Sequence, residues 1–193
     1  MYHKKIILSL IVIVYSFSSC KKKVNMDFAE AEINGESWQT GGHHTGITDF
    51  PNNKFSILLS AGRYIKADDY FITSSLINVL QIPKTMGKHY LVQVPFSDYV
   101  TKVEEDEAPF ALFSTLWQDG EQPCAGYMID STDSLNNWIS IDQQKNDFER
   151  VWGTFSMTLI RDTSYVEVPC YRNPYGDTIK IRNGRFYVTK NKS

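Results

Sequence analysis

The chain is poor in cysteine, nearly balanced in charge and short of catalytic signatures. Three cysteines, Cys20, Cys124 and Cys170, stand among 193 residues with no Cys-x-x-Cys spacing, which argues against a redox or zinc-finger motif. Twenty bases against 22 acids leave a formal charge of -2, so no global basic field draws nucleic acid. Gly-x-Ser-x-Gly, His-Glu-x-x-His, the P-loop and the dinucleotide glycine fingerprint are all missing. Their absence removes the readily recognised hydrolases, metalloproteases and nucleotide-binding enzymes. The chain also lacks a linker, a low-complexity tract and an internal repeat. What remains is 42% hydrophobic and 22% charged, the composition of a folded globular chain able to bury roughly 70% of its unfolded surface.

One long apolar run exists, Ile6 to Phe17, preceded by His3, Lys4 and Lys5 and followed by Ser18-Ser19-Cys20. It is too short for a mature transmembrane helix, which needs about 20 residues, and it has the layout of a signal peptide. Two serines leading straight into a cysteine resemble the lipobox of bacterial lipoproteins, with Phe17 where Leu is usual. That resemblance implies cleavage after residue 19 and acylation of Cys20, which becomes the mature N-terminus; a secreted protein with an incidental Cys20 is the alternative. Residues 20–26, with Lys21-Lys22-Lys23, then form a lipidated tether, and several acyl chains would anchor it almost irreversibly. No Asp follows Cys20, which by the same resemblance favours the outer membrane; the side it faces stays open. Past export the compartment is oxidising, so Cys124 and Cys170 are either a disulfide closing a loop of about 46 residues, worth roughly 2–5 kcal/mol, or two buried thiols.

Residues 27–193 read as one β-rich domain. Alternation with a period of two recurs, most clearly in Thr154-Phe155-Ser156-Met157-Thr158-Leu159, whose apolar members share one face. About ten such strands separated by turn residues predict an all-β fold, an antiparallel β-sandwich or sandwich-like barrel. Asn34-Gly35 and Asn183-Gly184 are the strongest hairpin signals, because both residues tolerate the positive φ of a type I′ turn. Asp142 to Asp147 reads as a polar hairpin loop, Asp68 to Leu80 as a short helix or a strand, and Tyr99 to Ala108, with its four consecutive acids, as a surface loop. Gly153 ahead of the alternating strand suggests a bulge or a close crossing, Gly184 a turn, and Trp38 a closure of the core edge after the first hairpin.

Several elements together resemble a family of Bacteroidota outer-membrane-type lipoproteins without an assigned function. They are the lipobox with its lysines, Phe28-Ala29-Glu30-Ala31-Glu32-Ile33-Asn34-Gly35-Glu36-Ser37-Trp38, Gly87-Lys88-His89-Tyr90-Leu91, Val151-Trp152-Gly153-Thr154-Phe155-Ser156-Met157 and the closing Ile181-Arg182-Asn183-Gly184-Arg185-Phe186-Tyr187-Val188. The order and spacing cover nearly all of the mature chain; Asp98 to Tyr127 fits least. The resemblance implies a β-rich envelope module and carries over no catalytic residue.

Candidate chemistry is correspondingly thin. His43 and His44 are adjacent and point to opposite faces if extended, so they do not readily share a metal; His89 alternates outward. Asp68-Asp69, Asp130 with Asp133, and Glu104 to Glu107 are oxygen donors of the kind calcium takes, but none forms an EF-hand loop; no metal or cofactor is assigned. Trp117, Trp138 and Trp152 lie in strands where a core would use them, while Trp117, Tyr171 and Tyr175 are the candidate ligand contacts, the tyrosines belonging to an aromatic, polar loop at a strand end. The leading functional expectation is a non-catalytic binding or assembly module of the envelope for a protein or glycan. Its rivals are a carrier of a hydrophobic small molecule in a barrel cavity and a carbohydrate-active enzyme using paired carboxylates.

Overall fold

Apolar and polar side chains alternate through most of the described chain, and the alternating segments are strands. The computed structural model describes residues 27–40, 45–64, 72–104, 108–117, 122–164 and 175–190. The strands are β1 (Phe28–Ile33), β2 (Glu36–Gln39), β3 (Gly46–Phe50), β4 (Lys54–Tyr64), β5 (Ile72–Pro83), β6 (Gly87–Tyr90), β7 (Phe110–Trp117), β8 (Gln122–Ile129), β9 (Trp138–Lys145), β10 (Arg150–Arg161) and β11 (Thr178–Thr189). A short helix α1 (Tyr99–Glu104) lies between β6 and β7, and a 3-10 turn (Ser131–Asn136) between β8 and β9. The strands form one antiparallel sheet in the order β2-β1-β11-β10-β8-β7-β5-β4-β3, with β9 alongside the first half of β10 and β6 beyond β9. This sheet curls into a half-barrel, so the fold is all-β and sandwich-like as expected.

The far strand of the curl returns to β11 through a parallel bridge between Ile47 and Lys190. Asp49 secures that seam. Lys84 stands 3.3 Å from one of its oxygens and Lys190 closes on the other. The hydrogen bond from Lys190 is the main cause that holds the Asp49 carboxyl below its ordinary range, against the opposing effect of burial and with Lys84 adding to it.

Inward alternants from ten strands, among them Ile57, Ile77, Phe113, Tyr127, Ile139, Phe155, Ile181 and Phe186, merge into one continuous core. Each such side chain, fully buried, contributes roughly 1.5–3 kcal/mol. Phe113 and Tyr127 meet edge to face with ring centroids 5.7 Å apart, the arrangement their quadrupoles favour. Trp38 closes the core edge as expected, and its indole Nε1 donates to Ser75 Oγ at 2.8 Å, tying β2 across the interior to β5. Gly153 likewise stands at a close crossing and opposite a bulge, whose extra residue is Asp142 on β9. The register of β10 against β9 slips between Trp152 and Gly153, and a Cβ there would collide with the Ser140 carbonyl and stand 2.5 Å from the Phe186 ring.

Strands β8 and β9 follow one another along the same edge of β10, with Leu159 opposite Ile129 and Ser156 opposite Trp138. Asn137, fully buried, fills the gap between them. Its Oδ1 accepts the Thr158 amide at 2.7 Å, its Nδ2 donates to the Asp130 carbonyl at 2.7 Å, and its own carbonyl accepts the Leu91 amide at 3.0 Å. Without these bonds the interrupted ladder would leave buried backbone groups unpaired, a cost of about 1–3 kcal/mol each.

Three local expectations are corrected, and one left open between helix and strand is settled. Asn183-Gly184 is no hairpin: β11 runs through it, and the pairings Phe155 with Gly184 and Met157 with Ile181 leave one extra residue in β11, a β-bulge with Asn183 at φ 54°. The polar stretch from Asp142 is strand as far as Lys145, because β10 continues to pair with it, and the turn is confined to Asn146–Glu149. Ile72 to Pro83 is strand, held on both edges by β4 and β7. Tyr99 to Glu104 is helical rather than loop; residues 105–107 and a further expected strand, Val166 to Val168, lie outside the described residues.

Outside the half-barrel, one half of the sheet is covered and the other is open. A bulge in β5, with Gln81 at φ 61°, turns Leu80 outward, where it joins Phe110, Leu112 and Val94 in a second apolar cluster under Phe96 and Val103. Gln81 Nε2 donates to the Val103 carbonyl at 2.8 Å and fastens α1 over it. No helix is fastened over the outer face of β6-β9-β10-β11-β1-β2 among the described residues; the 3-10 turn reaches it at Thr158 and Arg182, and the candidate site lies beside that contact.

Candidate functional site

Strand parity places every second side chain of six neighbouring strands on that outer face, and the pairing aligns them in tiers. The first tier is aromatic: Phe28 opposite Tyr187 opposite Trp152, with Trp152 and Tyr187 centroids 4.8 Å apart. The second is polar, running Gln39, Glu30, Arg185, Thr154, Ser140 and Lys88. The third runs from Ser37 through Glu32, Arg182 and Ser156 to Trp138 and Tyr90. The β11 bulge falls between the second and third tiers. A bulge bends its strand and raises local twist, and an open groove of about 710 Å³ lies at this point, lined by Glu30, Glu32, Ser37, Trp138, Thr154, Ser156 and the bulge residues Arg182 to Arg185.

The two arginines of the groove differ in role. Arg182 is committed to the scaffold: Nη1 donates to the carbonyls of Met157 and Ile181, each at 2.9 Å, and Nη2 to Thr158 Oγ1 at 2.8 Å and Asp133 Oδ2 at 3.3 Å. It pins the bulge to the 3-10 turn. Arg185 is 68% exposed and paired across the ladder with Glu30. Hydrogen bonds from Thr158 and then Asn136, with Arg182 adding its charge, hold the Asp133 carboxyl below its ordinary range. On β9 and β10, Ser140 Oγ and Thr154 Oγ1 donate to the two oxygens of Asp142 at 2.7 and 3.2 Å. Lys88 stands over the Trp138 ring at 4.3 Å, a cation–π contact made from the β6 side, while the same ring lines the groove from β9.

Of the residues expected to touch ligand, Tyr175 is the one whose side chain is among the described residues. Cys20, Cys170 and Tyr171 are outside the described residues, as are the side chains of Cys124 and Trp117, whose backbones belong to β8 and to the last position of β7. Tyr175 packs inward, edge-on to Phe113 at 5.2 Å, and the Gly176 carbonyl beside it accepts the Tyr127 hydroxyl at 2.6 Å. Of the calcium candidates, Asp130 accepts the Thr132 amide and hydroxyl and caps the 3-10 turn, and Asp133 is held by Arg182 and Thr158. Among the described residues no three of His, Cys, Asp and Glu converge as a metal cluster. Trp138 and Trp152, expected in the core, are on the outer face. The signal for this was present: Ile139 and Ile141, like Val151 and Phe155, are inward, so their odd-numbered parity turns both tryptophans out.

No helix among the described residues is long and apolar enough to cross a membrane. No protein-family model matches the chain, nor does any curated protein or solved structure.

Proposed function

We propose that the chain is a lipid-anchored, non-catalytic binding module of the bacterial cell envelope, held by an acylated Cys20 in the outer membrane and presenting the open outer face of its half-barrel to a protein or glycan ligand. The observation that carries the reading is the groove itself, a concave set of polar and aromatic side chains on the half of the sheet that α1 leaves bare. The continuous inward core supports binding outside the barrel over carriage of an apolar molecule within it. The groove carboxylate Glu30 is engaged by the Arg185 guanidinium, whereas a glycosidase presents two carboxyl groups to its substrate. The apolar run ending in Ser18-Ser19-Cys20 supports the anchor.

Two experiments test it. Metabolic labelling with an alkyne fatty acid should mark the full-length chain and not Cys20→Ser, which should leave the membrane fraction; equal labelling of both removes the anchor. A photo-crosslinking residue at Ser37 should give an adduct in intact cells and one at the buried Ile139 should not; no adduct at Ser37 removes the binding role.

A further inference from the structure

The charges of the groove cancel. Glu30 and Glu32 on β1 stand opposite Arg185 and Arg182 on β11, and Asp133 takes up part of the Arg182 charge from the 3-10 turn, so the lining holds as many acids as bases and has no excess positive charge to draw an anion. Its volume of about 710 Å³ is that of a small-ligand site, roughly 300–1,000 Å³, and not that of an extended protein interface. What lines it are planar groups with donors or acceptors side by side: the Glu30 carboxylate, the Arg185 guanidinium in contact with it, and the Asn183 amide. Such groups match a ligand whose neighbouring edge atoms both donate and accept, which describes adjacent hydroxyls. Trp138 adds the complementary surface. Lys88 stands 4.3 Å from the centre of its ring, Trp138 lines the groove, and an indole supplies an apolar face for C–H groups. An uncharged ligand with hydroxyls at its edge and C–H groups on its face is a sugar.

We propose that the groove binds a neutral oligosaccharide, with a sugar ring packed against Trp138 and its hydroxyls bonded by the Glu30–Arg185 pair and Asn183. This rests on the binding-module reading above and gives it a ligand class. The test presents the full chain, purified in detergent micelles, to an array of neutral and acidic oligosaccharides, and then titrates tryptophan fluorescence with the neutral glycan retained. The expected result is retention of neutral glycans, at least about tenfold weaker binding in Trp138→Ala, most of it regained in Trp138→Phe, and a comparable loss in Arg185→Gln with an unchanged circular dichroism spectrum. Arg185 is exposed, so its variant keeps the test sound if Trp138→Ala fails to fold. Retention of no glycan, retention of acidic glycans alone, or equal affinity in Arg185→Gln overturns the proposal. The adduct at Ser37 in cells separates it from the broader reading: a polypeptide adduct sinks the sugar and leaves the module, whereas no adduct sinks both.

Discussion

The dipeptide Asn-Gly occurs twice, and the two copies build different things. At Asn34-Gly35 both residues have positive φ, 51° and 82°, and the chain reverses from β1 into β2. At Asn183-Gly184 only the asparagine does, at 54°, and the chain continues as a bulge in the middle of β11. Local preference is the same in both places; the neighbours differ. Strand β11 has β1 on one edge and β10 on the other, both pairing past the dipeptide, and reversing the chain there would forfeit those ladders and the core beneath them. The glycines are needed for different reasons too. Gly35 meets nothing within 4 Å where a Cβ would be, whereas a Cβ on Gly184 would lie 2.7 Å from three atoms of the Phe155 ring. One glycine serves a backbone conformation and the other a close approach.

That contrast is broken most forcefully at Gly184. Gly184→Ala drives a methyl into the face of a buried ring, and we expect a loss of about 3 kcal/mol, at the upper end of overpacking penalties, measured as a shift in the urea midpoint with unchanged slope. Adding Phe155→Leu should make the pair less destabilised than the sum of the single changes, since the smaller side chain makes room; simple additivity would show that the ring is not the obstacle. Asn34→Ala comes next, at about 2 kcal/mol. It removes a side chain that tolerates positive φ and one whose Oδ1 accepts the Lys180 amide at 2.8 Å and whose Nδ2 donates to the Thr178 carbonyl at 3.3 Å. Asn183→Ala should cost less, about 1 kcal/mol, for the backbone conformation alone; equal losses at the two asparagines would contradict the distinction.

What was legible in the sequence follows the same division between local and long-range causes. The alternation in Phe155, Met157 and Leu159 is a property of one strand, and so the all-β class, most strands and the Asn34-Gly35 turn could be read from it. The partners of a strand cannot. Only the pairing of β10 with β11 reveals that residues 178–181 and 185–189 are one strand bridged by a bulge, and only the packing of β9 on β10 sets Trp138 beside that bulge. The candidate groove was therefore invisible as a site, because it draws on β1, β2, β9, β10 and β11, from Glu30 to Arg185. Tyr175 was singled out from its loop composition, and what that composition could not reveal is the long-range contact its ring makes with Phe113.

A smaller effect sharpens the comparison at Gly35. With open space around it, Gly35→Ala should cost only the strain of placing a Cβ at φ 82°, about 1 kcal/mol, and a second change at Phe155 should add to it without coupling, since the two sites share no contact. The same double-mutant analysis that reports coupling for Gly184 thus acts as its own control; coupling at both glycines would mean that the Phe155 change acts through the whole sheet.

Acid should distinguish the two copies last and most gently. The bulge side depends on Asp133, whose carboxylate accepts from Thr158 and pairs with Arg182, the residue just before Asn183. Its folded pKa lies below the ordinary 3.8, from the Thr158 hydrogen bond first, then that of Asn136 and the charge of Arg182. A carboxyl lowered on folding contributes stability above its unfolded pKa and loses that contribution as the pH falls through its folded value. The affected window therefore lies at and below 3.8, and at neutral pH the contribution is fully present. The urea midpoint of the wild-type chain should fall between about pH 7 and about pH 3, and in Asp133→Asn the fall should be smaller, since one acid-sensitive group is gone. Over the same range, the hydrogen-exchange protection factor of the Thr158 amide, held by Asn137 beside this cluster, should fall more than that of the Asn34 amide, which bonds the Lys180 carbonyl at the turn. An identical acid response in wild type and Asp133→Asn would show that Arg182 holds the bulge through its backbone carbonyl partners at Met157 and Ile181 alone.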